Sequence, residues 1–142
     1  MARFRILAKS KIQRLVVTDK NLRYEGSLEL DRDLLKAADI LPGEIVQVVN
    51  LNNGNRFETY VIPAPAGSGA CVLNGGAARL GEAGDELIVM SSTMVDETEA
   101  SMHQMRRVVV NEHNHIIDLP STADYPDSVR NGKQLTKRKG RS

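Results

Sequence analysis

The sequence predicts a small, mainly β barrel with a few short helices. Turn signals recur roughly every 8–12 residues, as they do in compact all-β folds. Between them the apolar runs are short, alternating or continuous in the manner of strands. Helical signals are confined to two brief stretches, after Asp31 and near Ala77.

Taken in order, residues 4–18 carry strand-type apolar patches ending in Leu15-Val16-Val17-Thr18. Asp19 to Arg23 reads as a turn, and Leu28-Glu29-Leu30 alternates as a strand does. Asp31 is a capping residue for a helix from Arg32 to Ala38, with Leu34, Leu35, Ala37 and Ala38 apolar. Leu41-Pro42-Gly43 supplies its stop signal. Ile45 to Val49 reads as a buried strand, Asn53-Gly54 as a hairpin turn, and Arg56 to Ile62 as the returning strand. Pro63 to Gly69 is a loop, Cys71 to Leu73 a brief strand, and Ala77 to Leu80 one helical turn. Gly84-Asp85 turns into the strand Glu86 to Met90. Arg107 to Val110 and Ile116 to Leu119 form a final hairpin around Asn111 to His115.

Composition bounds the class. At 142 residues, 41% hydrophobic and 26% charged, the chain is sized for one soluble domain with one sizeable core. A single cysteine, Cys71, excludes an internal disulfide framework and reads as a small buried thiol. Apolar runs such as Leu87-Ile88-Val89-Met90 are far too short to span a bilayer. No secretory signal is evident, so a cytoplasmic location is expected. Charge divides unevenly: from Ser121 onward six bases face two acids, net +4, whereas residues 1–120 sum to −3. The expected division is a domain over 1–119 and a basic, disordered tail over 120–142.

The chemistry-bearing feature is Gly26-Ser27, preceded by Tyr24-Glu25. Glycine permits backbone conformations closed to other residues and leaves its carbonyl open to attack. On a strained bond, Ser27 Oγ can attack the Gly26 carbonyl carbon and turn the amide into an ester. Elimination and hydrolysis then leave a pyruvoyl group at a new N-terminus. The same dipeptide is also ordinary turn chemistry.

Alternation along the Arg56 strand places Arg56, Glu58 and Tyr60 on one face and Phe57, Thr59 and Val61 on the other. An arginine fork suits a carboxylate, and a phenol can deliver a proton; the pattern reads equally as a surface ion pair Arg56–Glu58 beside a packed tyrosine. Asn74-Gly75-Gly76-Ala77-Ala78 combines small residues with exposed backbone N–H groups and a side-chain amide. Lys11 is a cation within an apolar strand, the usual signature of an edge. His103, His113 and His115 lack a third ligand at recognisable spacing, so no metal is expected.

Lys11-Ile12-Gln13-Arg14, Tyr24-Glu25-Gly26-Ser27, the run from Asn53 to Tyr60 and Asn74-Gly75-Gly76-Ala77-Ala78, in that order, closely resemble the pyruvoyl-dependent aspartate decarboxylase family of pantothenate synthesis. The resemblance covers about Arg3 to Leu119. It implies a double-psi β-barrel assembled as a homotetramer, with active sites between subunits. It implies self-cleavage at Gly26–Ser27 into a β-chain of residues 1–26 and an α-chain of residues 27–142, the latter headed by a pyruvoyl group made from Ser27. Aspartate would then condense with that ketone as a Schiff base and leave as β-alanine and carbon dioxide. By position, Ser27 and Tyr60 would be catalytic, Tyr60 as proton donor. Lys11 and Arg56 would meet carboxylates, Thr59 would assist processing and touch substrate, and Asn74, Gly75, Gly76 and Ala77 would border the substrate. Tyr24 would lie near the cut.

Three positions depart from the family pattern: Gln13 stands where histidine is common, Leu28 where some members are small or polar, and Gly76 where many have alanine. Alternation also sends Thr59 away from Arg56 and Tyr60, so a twist, a bulge or sharing between subunits is expected to reunite them. Whether a maturation factor takes part is left open, and neither a membrane nor a nucleic-acid partner is expected. The alternative is a DNA-binding regulator of the swapped-hairpin AbrB type, suggested by the strand–helix–Leu-Pro-Gly–strand unit from Leu28 to Val49 and the basic tail. The negative body opposes it.

Overall fold

In chain order the strands of the computed structural model are β1 (Phe4–Val16), β2 (Asp19–Asn21), β3 (Ser27–Asp31), β4 (Ile45–Asn50), β5 (Arg56–Ala64), β6 (Cys71–Asn74), β7 (Glu86–Asp96), β8 (Met105–Val110) and β9 (Ile116–Ala123). One α-helix, α1 (Arg32–Ala37), follows β3, and 3₁₀ turns occupy Gly75–Arg79 and Ala100–Met102. The structure describes residues 1–123, with side chains through Ile117. The tail expected from residue 120 is corrected at its start, because β9 continues through Ala123 in register with β8; its remainder, from 124 onward, lies outside the described residues.

The nine strands are hydrogen-bonded in the order β2-β6-β3-β5-β4-β7-β1-β8-β9. Three of the pairings are parallel, β1 with β8, β2 with β6 and β3 with β5. Parallel neighbours require crossovers, so the sheet is interwoven and is not a simple meander. Its apolar faces close on one core, in which Ile12, Leu15, Leu28, Leu30, Leu73, Leu87, Val89 and Val108 are fully buried. The result is the mainly β, barrel-like architecture with short helices that the turn spacing predicted. Among the described residues no helix is long and apolar enough to cross a membrane.

Several boundaries moved, each for an identifiable reason. Asp19–Asn21 forms a strand where a turn was expected, because β6 offers it a parallel edge from Val72 to Asn74. The helix ends before Leu41-Pro42-Gly43: Asp39 adopts φ 56°, the Asp39 N–H bonds to the Lys36 carbonyl, and the Ile40 N–H bonds to that of Leu35. This is a Schellman stop with aspartate in the position glycine usually takes. Strand β4 buries only alternate residues, with Ile45 and Gln47 exposed. Pro63 lies inside β5, opposite Leu30. Lys11 is on an inner strand, since β1 lies between β7 and β8. Its position is no edge.

Asp31 ties three segments together. One carboxylate oxygen accepts the N–H groups of Asp33 at 2.8 Å and Gly67 at 3.0 Å, and the other accepts Gly69 at 2.9 Å. The helix cap and the Pro/Gly loop therefore hang on one buried side chain. Cys71 is likewise buried, and loss of hydration pushes its thiol up to about 12. Asn114, at φ 62°, accepts from Val16 N and donates to the carbonyls of Val16 and Gly69, which pins the β8–β9 turn to the end of β1. Replacing Asp31 with alanine orphans three backbone donors, so a loss of about 2–4 kcal/mol is expected in urea unfolding. Asp31→Asn, which keeps one acceptor oxygen, should lose less.

Candidate active site

Two strand ends and the middle of a third strand meet around Ser27. Strand β3 starts at Ser27, which pairs with Asn74, the last residue of antiparallel β6. On its other side β3 runs parallel to β5, with Leu28 level with Val61. One step back along that register brings Ser27 beside Tyr60. A pocket of about 420 Å³ opens there, lined by Gly26, Ser27, Thr59, Tyr60, Gly76 and Ala77, with Phe57, Glu58 and Leu80 completing the wall.

This arrangement resolves the conflict over alternation in a way the sequence did not suggest. Pairing between β3 and β5 begins at Leu28 and Val61, so the preceding stretch of β5 has no strand neighbour on that side. The pocket lies beside this open edge and is reached from both faces of the sheet. Thr59 and Tyr60 therefore border the same space although their side chains diverge.

Ser27 is buried, at 1% exposure, and so is Asn74. The Asn74 side-chain amide donates to Ser27 Oγ at 3.4 Å and to Glu29 Oε1 at 3.3 Å. Although Asn74 stands where the 3₁₀ turn begins, its side chain makes no capping bond. The amide is committed to Ser27 and Glu29.

Gly75 sets the approach of the turn to the Gly26-Ser27 dipeptide. It takes φ +60°, and a Cβ added to it would stand 2.5 Å from Gly26 Cα, 2.7 Å from Gly26 N and 3.0 Å from the Tyr24 carbonyl oxygen. Neither the left-handed backbone nor the contact tolerates a side chain. The expectation that Gly26 itself exploits glycine's special backbone is corrected: its φ is not in the left-handed region and a Cβ there would meet open space. The conformational demand falls on its neighbour. Tyr24 is exposed, and its backbone carbonyl lies beside Gly75.

Neither Arg56 nor Lys11 lines this pocket, although the depression beside Arg56 shares Phe57 and Glu58 with it. Arg56 borders a second depression of about 290 Å³ with Gln47, Val49, Glu58 and Met90. Lys11 borders a third, of about 360 Å³, with Leu7, Met90, His103 and Met105. Glu58, Gln47, Met90 and Lys11 form a row across four neighbouring strands. At the usual strand spacing, Lys11 lies about 14 Å from β5. Partial burial, and then the adjacent Arg107 charge, hold its amine below the ordinary lysine range. Within one protomer, then, Gly26, Ser27, Thr59, Tyr60, Asn74, Gly75, Gly76 and Ala77 converge, Arg56 lies in the adjoining depression, and Lys11 lies several strands away.

Glu29 and Leu80 were missed by sequence reasoning. Alternation alone puts Glu29 on the Ser27 face of β3, which is the signal that could have found it. Leu80 gave none: the amides of Asn50, Asn53 and Asn55 all donate to its carbonyl, at 3.2, 3.1 and 3.2 Å. These bonds tie the β4–β5 connection to the wall of the pocket.

Comparison with known proteins accords with this geometry. Residues 3–117 match the model of the aspartate decarboxylase family. The aspartate 1-decarboxylase of Heliobacterium modesticaldum is 51% identical over 113 residues, covering 80% of this chain and 86% of that protein. The enzyme of the same name from Kosmotoga olearia is 53% identical over 115 residues, covering 81% and 98%. That from Halalkalibacterium halodurans is 49% identical over 119 residues, covering 84% and 94%. With the match spanning every residue of the Ser27 pocket, the chain belongs to the aspartate decarboxylase family of enzymes.

Proposed function

We propose that this protein cuts itself between Gly26 and Ser27 and then decarboxylates L-aspartate to β-alanine and carbon dioxide, within pantothenate synthesis in the cytoplasm. The observation that carries the reading is the buried Ser27 hydroxyl, held by Asn74 against a glycine backbone that Gly75 touches directly. A surface Gly-Ser turn would have neither burial nor a dedicated donor.

In the first stage Ser27 Oγ attacks the Gly26 carbonyl carbon, and the C–N bond breaks as an ester forms. The Asn74 N–H faces the oxygen that sheds its proton. Loss of the Ser27 α-proton expels the Gly26 carboxylate, and water then releases ammonia to leave the pyruvoyl group. The pocket suits such a group, because the atoms that become its ketone begin as buried Ser27 next to a 420 Å³ space. When present, the ketone supplies the electron sink that decarboxylation of an amino acid requires.

The remaining roles belong to side chains and backbone already in the pocket. Tyr60, 37% exposed, is the proton donor to the former α-carbon. Thr59 contributes its hydroxyl to processing and to substrate contact. The backbone at Gly75, Gly76 and Ala77 bounds the substrate. Arg56 and Lys11 are the carboxylate-binding cations, and the separation of Lys11 from Ser27 supports a homotetramer in which another copy brings it to this pocket. Residues 1–119 form the catalytic domain in this reading, completed by the rest of β9 through Ala123, and the basic segment beyond it is an appendage.

Mass spectrometry of purified protein should find two fragments, split after Gly26, the larger blocked at its N-terminus. Ser27→Ala should remain one chain and form no β-alanine. Tyr60→Phe should be cut normally yet lose about 10²–10⁴-fold in β-alanine formation. Gly75→Ala should lose about 1–3 kcal/mol of stability and cut slowly or not at all.

A further inference from the structure

Strand pairing gives Ser27 a second neighbour of consequence. Ser27 and Glu29 are two residues apart on β3 and share a face. Asn74 is directly opposite Ser27 in the antiparallel pair and therefore diagonal to Glu29, within reach of both. Its one nitrogen contacts Ser27 Oγ at 3.4 Å and Glu29 Oε1 at 3.3 Å.

An asparagine amide can present either its NH₂ or its carbonyl oxygen to a partner. A serine hydroxyl both donates and accepts, so Ser27 alone is satisfied by either orientation. The two are chemically unequal. With N–H toward Oγ, the amide stabilises negative charge as the hydroxyl loses its proton; with C=O toward Oγ, it ties up that proton and offers nothing to the oxygen. An ionised carboxylate only accepts, so it selects the NH₂ face. Its charge also strengthens the Asn74–Glu29 bond, which holds the amide in that orientation.

We propose that Glu29 is a positioning residue for self-cleavage, fixing the Asn74 amide with its N–H toward the Ser27 hydroxyl. The inference deepens the processing role proposed for Ser27 and rests on that reading. Glu29 touches neither the scissile bond nor the pocket lining; it acts through Asn74.

The test follows the conversion of newly made full-length chain into the 1–26 and 27–142 fragments. Glutamine keeps the size of Glu29 but presents both N–H and C=O, so Glu29→Gln should slow cleavage about three- to tenfold with little change in thermal midpoint. In an Asn74→Ala background the same substitution should slow it no further, whereas a packing role would add. A second readout does not need cleavage: in uncut Ser27→Ala protein, the Asn74 side-chain amide protons should be protected from exchange, and adding Glu29→Gln should abolish the protection. Cut wild type with an unchanged Glu29→Gln rate, or amide protection that ignores Glu29, would overturn this inference alone. Wild-type protein that never cuts would overturn the processing reading and this inference with it.

Discussion

Two backbones touching at Gly26 and Gly75 are the constraint on which the site depends. Because Gly75 carries no Cβ and accepts φ +60°, the turn after β6 lies directly against the Gly26 peptide. That contact delivers Asn74 to Ser27 and places Gly76 and Ala77 in the pocket wall. A methyl group at residue 75 would push the turn away and widen every distance that follows. Asparagine bonds to the Leu80 carbonyl hold the far end of the same turn. The segment is clamped at both ends.

The architecture around it explains why so short a strand as β3 can carry the chemistry. Between β6 and β5, the β3 segment is paired on both sides from Leu28 onward, with Leu28 and Leu30 fully buried. Asp31 anchors its far end through three backbone donors. Rigidity thus runs up to Ser27 and stops, since β5 has no partner on that side before Val61. The Gly26-Ser27 dipeptide and open space meet at that boundary.

What was legible in the sequence follows the range of the interactions concerned. The Asp31 cap, the Asn53-Gly54 turn and the brief strand from Cys71, read one residue short of its end at Asn74, depend on neighbours a few residues away, and each was read from spacing. The roles of Ser27, Tyr60 and Asn74 were suggested by motif order, and the fold brings those three residues together. Features set by which strands pair were not legible. Lys11 looked like an edge residue until β1 proved to run between β7 and β8. Thr59 does point away from Tyr60, but the unpaired edge of β5 before Val61 opens one pocket to both faces, which alternation alone could not reveal. Glu29 passed as a routine polar position, its meaning supplied by Asn74, 45 residues later.

The inner position of β1 has a consequence for the molecule after scission. Residues 1–26 contribute Ile12, Leu15 and Val17 to the core, and β1 is hydrogen-bonded to strands on both flanks. A severed first segment would therefore stay in place, gripped as firmly as before. Unfolding, however, would release two separate polypeptides, and regaining the native state would become a bimolecular encounter that weakens with dilution. Maturation of this kind would turn a reversible folder into one whose shape, once lost, is hard to recover.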